Sequence, residues 1–277
     1  MDEHFIRGFF STLAILRSYL SEIVVGGGWA PFLYYRYLVG DRLHAPVLTS
    51  DIDLMVKHEV PTVGTKTIDQ LLIDARLSAR FKTNDTPPII HYEGIIEGAA
   101  VEIEFLTDQT GSRPDVVLEV QKGLHAEALR YVSILVENTL KLNINDAKSL
   151  IDVTPLIVQV PTPAAYIFQK GLAFIHRRDK TKRAKDLYYL FDIVAGLPQI
   201  RDNIHAELKV LSKKHAKWFR TFMGNLRKHF DNPESEGSLC VVEQRPTDAF
   251  PDLDDDQLRQ FVCGIFREFI QKLAPLD

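Results

Sequence analysis

Residues 24–29, Val24-Val25-Gly26-Gly27-Gly28-Trp29, followed further on by Ser50-Asp51-Ile52-Asp53-Leu54, decide how this chain is read. Ile23, Val24 and Val25 read as a short buried strand, the glycines break it, and Ala30 to Leu38 resumes as an aromatic-rich helix with Pro31 tolerated in its first turn. Glycines between a strand and a helix let the backbone approach phosphates closely and adopt positive φ. Asp51 and Asp53 alternate with Ile52, so they project from one face of a second strand, about 7 Å apart along it. Carboxylates that close repel unless a cation lies between them, and magnesium shares its oxygen ligands among one or two carboxylates, water and substrate phosphate. Each motif alone also has a bland account, a tight turn without a ligand and a solvated acid pair. The glycine run matches neither the Walker A nor the dinucleotide fingerprint.

A third acidic element follows in Val101-Glu102-Ile103-Glu104-Phe105-Leu106, where Glu102 and Glu104 share one strand face opposite Ile103 and Phe105. If this strand neighbours Asp51-Ile52-Asp53, one of the two glutamates completes a carboxylate cluster that can activate a hydroxyl or hold a metal. The alternative is a half-exposed strand with a polar outer face.

Around these motifs, Phe9, Leu13, Leu16 and Leu20 recur at helical spacing and predict an opening helix. His44 to Val47 reads as a loop, Lys66 to Ala79 as a helix, and Ile89 to Tyr92, Gly94 to Ile96 and Ala100 to Leu106 as strands. Ala126 to Leu140 is mixed, and Leu156 to Val160 is strand-like. Pro161-Thr162-Pro163 then leads into a long helical region from Ala164, with a polar loop at 232–238 and a last helix from Gln257 to Leu273. The fold class is α+β: a mixed-sheet domain with flanking helices over residues 1–120, then a mainly helical domain over 121–277.

Composition fits an ordinary globular chain, 277 residues with 45% hydrophobic and 25% charged, long enough for one large or two modest cores. A net charge of -4 argues against a protein held to nucleic acid over its whole surface, and any RNA contact must be regional. The only cysteines, Cys240 and Cys263, have no companions at metal-ligand spacing. The acidic start Met1-Asp2-Glu3-His4 is unlike a secretory signal, and no apolar run approaches the roughly 20 residues of a membrane span, so a cytoplasmic protein without membrane partners is expected. Two basic stretches stand out, His176 to Lys185 and Lys213 to Arg220. Each reads either as a solvated helix surface or as a surface for phosphates, with Trp218 and Phe219 as core aromatics or as stacking partners.

The order of glycine turn, helix, Ser50-Asp51-Ile52-Asp53-Leu54 and a further acid-bearing strand resembles the nucleotidyltransferase superfamily typified by DNA polymerase β. The resemblance implies transfer of a nucleoside monophosphate from an NTP to an acceptor hydroxyl, using magnesium or manganese. It implies that Asp51 and Asp53 hold metal, with Glu104 or Glu102 as the third acid, and that Gly27, Gly28, Trp29 and Ser50 line the nucleotide. Pro163 to Lys170, with Arg183-Ala184-Lys185-Asp186-Leu187-Tyr188, is similar to elements of the AbiEii-like branch of toxin-type and uncharacterised bacterial members. That implies triphosphate contacts from Lys170, Arg183 and Asp186, and an antitoxin-like protein partner. Trp29 stands where many members carry Ser or Thr, and Gly-Gly-Trp-Ala is similar to the branch of antibiotic nucleotidyltransferases. The acceptor is left open among tRNA or other RNA, protein and small molecules. Two rival readings are a catalytically silent nucleotide-binding or regulatory module of the same fold, and an Asp-x-Asp glycosyltransferase.

Overall fold

The structure, a computed structural model, is described for residues 3–44, 47, 49–81, 90–109, 111, 116–146, 151, 155–247 and 249–274. Ile89 and the middle of the expected loop from His44 to Val47 lie outside these. The chain divides into two compact units, one of Met1–Leu33 with Leu48–Pro161, the other of Tyr34–Val47 with Thr162–Asp277.

The first unit is built on a mixed sheet. Helix α1 (Glu3–Ile15) is followed by β1 (Val24–Val25), the short helix α2 (Trp29–Leu33), β2 (Asp51–Met55), α3 (Ile68–Asp74), β3 (Ser78–Phe81), β4 (Ile90–Ile96) and β5 (Ala99–Asp108). Next come β6 (Val116–Gln121), β7 (Leu124–Leu129), α4 (Val132–Glu137), β8 (Thr139–Ile144) and β9 (Leu156–Pro161). Among the described residues nine strands form one sheet in the order β3-β4-β5-β2-β1-β9-β8, with β7 pairing β5 and β6 pairing β7. The sheet therefore runs past residue 120, where the sequence reading ended its first domain. The pairing of β7 with β5 and of β9 with β1 holds those later strands in the same core.

The alternation of β5 decides which face is buried. Ile103 and Phe105 are 0% and 1% exposed, and Ile52 and Leu54 on β2 are as deeply buried, so these side chains form the inner face. Helix α1 covers that face so closely that a Cβ on Gly8 would lie 3.1 Å from Ala99 Cβ. On the other face, α4 covers the C-terminal ends of the strands through Val132 and Leu135, which pack with Val24 and Met55.

Three local expectations change. The helix expected from Lys66 to Ala79 starts with a capping box between Thr67 and Gln70 but ends at Asp74, because Arg76 takes φ 63° and Leu77 turns into the edge strand β3. The two strands expected on either side of Glu93 are one, β4, whose turn into β5 is made by Glu97 and Gly98 at φ 52° and 79°. The end of the polar loop at 232–238 is already helical.

The second unit is helical: α5 (Pro163–Ala173), α6 (Lys180–Gly196), α7 (Arg201–Lys214), α8 (Ala216–Phe230), α9 (Glu236–Gln244) and α10 (Asp255–Leu273). Thr162 caps α5 by accepting from the Ala165 N–H, Asp179 caps α6 and Asp254 caps α10, so each start is written in the sequence as a side-chain acceptor. A π-helical turn, Tyr34–Val39, belongs to this unit, and Tyr35 Oη donates to the Asp192 carbonyl at 2.7 Å. Among the described residues no helix is long and apolar enough to cross a membrane.

Candidate functional site

The parallel pairing of β2 with β5 sets Asp51 level with Glu102 and Asp53 level with Glu104. Register partners on adjacent strands share a face about 5 Å apart, so the four expected acids occupy one patch, two from each strand. Asp51 and Asp53 are half-buried, and Glu104 is 9% exposed. Ser50 Oγ donates to Asp51 Oδ1 at 2.7 Å, fixing one carboxylate from the adjacent position.

The glycine turn lies against the same patch. Antiparallel pairing of β1 with β2 brings the Gly26 N–H to the Asp53 carbonyl at 2.9 Å. Gly27 follows at φ 56°, and a Cβ there would stand 1.9 Å from Asp53 Oδ2. Only a residue without a side chain lets the turn and this carboxylate occupy those places. The turn and the acids, read separately in the sequence, thus meet at Gly27 and Asp53.

Trp29 is turned the other way, and its expected place among the nucleotide-lining side chains is corrected. Its ring is 1% exposed and stacks on Phe9 of α1 at 3.8 Å between centroids and 3° between planes, with Phe5 at 5.6 Å. A residue of this size opening α2 anchors the turn to the core, which is a packing role.

Four further residues of this face, Ser78, Arg80, His91 and Glu93, were not expected at the site. The registers of β3, β4 and β5 continue the acid rows outward, from Asp53 and Glu104 to His91 and Arg80, and from Asp51 and Glu102 to Glu93 and Ser78. His91 is 9% exposed, and its buried Nδ1 has no hydrogen-bond partner. Arg80 Nε donates to Glu93 Oε1 at 2.9 Å, and that bond holds the Glu93 carboxyl below its ordinary range. An open cleft of about 460 Å³ is lined by Ser50, Arg76, Ser78, Arg80, Glu93 and Glu102. The alternation of His91, Tyr92 and Glu93 was available as a signal once β4 was taken as one strand.

The second unit holds the other expected residues. Lys170 is 7% exposed and its Nζ donates to Asp186 Oδ1 at 2.5 Å, while Arg177 Nε donates to Oδ2 at 3.1 Å. Burial opposes ionisation of Asp186, but the two cations outweigh it and its pKa falls below the ordinary aspartate value. The Lys170 ammonium also lies 5.6 and 5.7 Å from the ring centroids of Tyr166 and Tyr189. Lys170 and Asp186 are therefore brought together. Arg183 is not with them: it pairs with Glu236 Oε2 at 2.6 Å. Arg177, expected only as part of the basic stretch from His176 to Lys185, is the third member of the trio.

As donors, the four carboxylates are hard oxygens of the kind magnesium or manganese takes. Among the described residues, no three His, Cys, Asp or Glu side chains converge as a ready-made metal cage. A donor set of this kind fits an ion that keeps part of its shell for water and substrate phosphate.

A mixed sheet with acids on adjacent parallel strands, beside a glycine turn and joined to a helical unit, is the layout of the nucleotidyltransferase superfamily. The sequence matches the nucleotidyltransferase family over residues 12–209, well over half of the chain, and the chain belongs to that family. Among solved structures it is similar to an antigenic nucleotidyltransferase-like protein from Paracoccidioides brasiliensis, at 15% identity and a TM-score of 0.35 over 77% of this chain and 93% of that one. No curated protein matches the chain.

Proposed function

We propose that this chain transfers a nucleoside monophosphate from an NTP to an acceptor hydroxyl, releasing pyrophosphate. The observation that carries the reading is the contact of the Gly27 turn with the Asp53 carboxylate, inside the patch that Asp51, Glu102 and Glu104 complete. Gly27 and Gly28 give a triphosphate close access to backbone N–H groups, and Ser50 orients Asp51. Asp51 and Asp53 would hold the divalent cation, with Glu104 or Glu102 as third acid; when bound, such an ion offsets charge on the phosphates and on leaving pyrophosphate. Glu104, the more buried of the two glutamates, would in this reading accept the proton of the attacking hydroxyl. Positioning and charge neutralisation supply most of the catalysis in this class of transfer, which is the work these groups would do.

Lys170 and Asp186 act in this reading as positioning residues. With Arg177 they carry one net positive charge, and Arg177, whose side chain is 36% exposed, presents it outward. The acceptor is drawn from RNA, protein or small molecules. The second reading is a catalytically silent nucleotide-binding module of the same fold. Measuring NTP consumption while magnesium is titrated separates the two. For the transferase, consumption rises with the ion and is abolished by Asp53→Asn with the fold retained; a well-folded variant that transfers as fast as the parent sinks the assignment.

A further inference from the structure

From Leu208 to Phe230, across the end of α7 and all of α8, the chain contains no Asp or Glu. Lys209, Lys213 and Lys214 on α7 are exposed, and so are Lys217, Arg220, Arg227 and Lys228 on α8. This concentration stands in a chain whose net charge is -4. Several exposed cations elsewhere are matched, as Lys66 is with Asp74, Arg80 with Glu93 and Lys272 with Glu268. Here, among the described residues, Lys209, Lys213, Lys217, Arg220, Arg227 and Lys228 enter no ion pair. The flanking acids are already engaged, Glu207 by the Thr162 hydroxyl and Asp231 by Ser235 Oγ at 2.7 Å.

The α8 cations share one face, and Lys213 and Lys217 stand four residues apart across the α7–α8 junction. On α8, Lys217, Arg220, Gly224 and then Arg227 and Lys228 follow helical spacing along the side opposite buried Phe222, Leu226 and Phe230, and a Cβ on Gly224 would meet only open space. Over those positions the stripe is about 16 Å long at 1.5 Å per residue. Helix dipoles account for Lys213 and Lys214 in the last turn of α7, but Lys217 lies in the first turn of α8, where the dipole disfavours a cation. Like charges at Lys209 and Lys213, and at Lys217 and Arg220, repel as well. Beside them, half-buried Trp218 stacks on His215 at 4.9 Å with 7° between the planes. Clustered unpaired cations next to a partly exposed indole fit a phosphodiester backbone with accessible base faces.

We infer that the α7–α8 surface binds a single-stranded polynucleotide through its phosphates, with Trp218 as a stacking contact. Taken with the proposed transfer, and resting on it, this makes the acceptor a polynucleotide. The binding itself needs neither NTP nor metal, so the two readings can fail separately.

The test is fluorescence anisotropy of the full chain with labelled single-stranded RNA and DNA 20-mers, without nucleotide or divalent ion. Four to five phosphate contacts give a log–log salt slope near -3, so affinity falls about sixty-fold between 50 and 200 mM salt. The pair Lys213→Glu with Lys217→Glu weakens binding at least thirty-fold and flattens the slope by about 1.4. Lys213→Gln with Lys217→Gln, which introduces no new charge, flattens the slope in the same direction. Trp218→Leu weakens single-strand binding about tenfold with the slope unchanged. Comparing RNA with DNA identifies the sugar. A slope near zero, variants that bind as the parent does, or capture of anionic vesicles in place of either oligonucleotide overturns the inference, whatever the Asp53→Asn result.

Discussion

Replacing Gly27 by Ala tests whether the turn and the Asp53 carboxylate form one device. The new methyl would begin 1.9 Å from Asp53 Oδ2, where ordinary contact is about 3.4 Å, so the carboxylate or the turn must shift by roughly 1.5 Å. The backbone at φ 56° adds about 1 kcal/mol for any residue with a Cβ. A cost of about 1–2 kcal/mol in total lowers Tm by a few degrees in a chain of this size. A displacement of 1 Å at reacting groups can cost about a hundredfold in rate. Gly27→Ala should therefore keep its fold, by circular dichroism and thermal melting, and lose at least about a hundredfold in kcat/KM for NTP. Gly26→Ala is the control, because its methyl meets the flexible Met55 Cε at 2.6 Å, and it should affect stability more than turnover. A folded Gly27→Ala protein with turnover within about threefold of the parent would refute the reasoning.

Other consequences follow from the packing. Trp29→Ala removes a fully buried ring stacked on Phe9 and should cost about 3–5 kcal/mol in urea unfolding, against the near-neutral result a nucleotide-lining side chain would give. Asp186→Asn leaves Lys170 buried without its charge partner and should destabilise by about 3–5 kcal/mol, whereas Lys170→Met with Asp186→Leu should recover part of the loss. Because the folded pKa of Asp186 is lowered, its stabilisation is complete above about pH 4 and is lost as pH falls through the folded value, so the parent and Asp186→Asn should converge in stability under strong acid. Burial lowers the pKa of His205, and Lys272 adds to it, so the folded state resists its protonation. Stability should fall as pH drops below about 6.5, by up to about 1.4 kcal/mol per pH unit for this one residue, and His205→Phe should flatten that slope in urea titrations at pH 5 and 7.5.

The strands and acids that define the first unit were legible because alternation writes itself into β-strands: Ile52 and Leu54 inward, Asp51 and Asp53 outward, and likewise Ile103 and Phe105 against Glu102 and Glu104. The edge strand β3 was not legible, since Ser78, Ala79, Arg80 and Phe81 are all exposed and carry no such pattern. The stop after α3 is made by Arg76 at positive φ, a conformation with no glycine to announce it. The first helix start of the second unit was readable from Pro161-Thr162-Pro163, whereas the cap of Asp179 inside the basic stretch was not read and the last helix begins at Asp255, two residues before its expected start. What the sequence concealed is depth and direction. Trp29 belongs to the core because Phe5 and Phe9 lie opposite it, and Lys170 is neutralised by an aspartate sixteen positions on, contacts that only tertiary packing creates.

Transfer through the α-phosphorus of an NTP at the Gly27 and Asp53 face is the chemistry proposed for this chain. The most direct measurement incubates the full chain with magnesium, a cell extract and, in parallel, α-labelled and γ-labelled NTP. The account predicts that α-label becomes covalently attached to an acceptor while γ-label leaves as pyrophosphate, and that Asp53→Asn does neither. Attachment of γ-label, or equal incorporation by a folded Asp53→Asn protein, would contradict it.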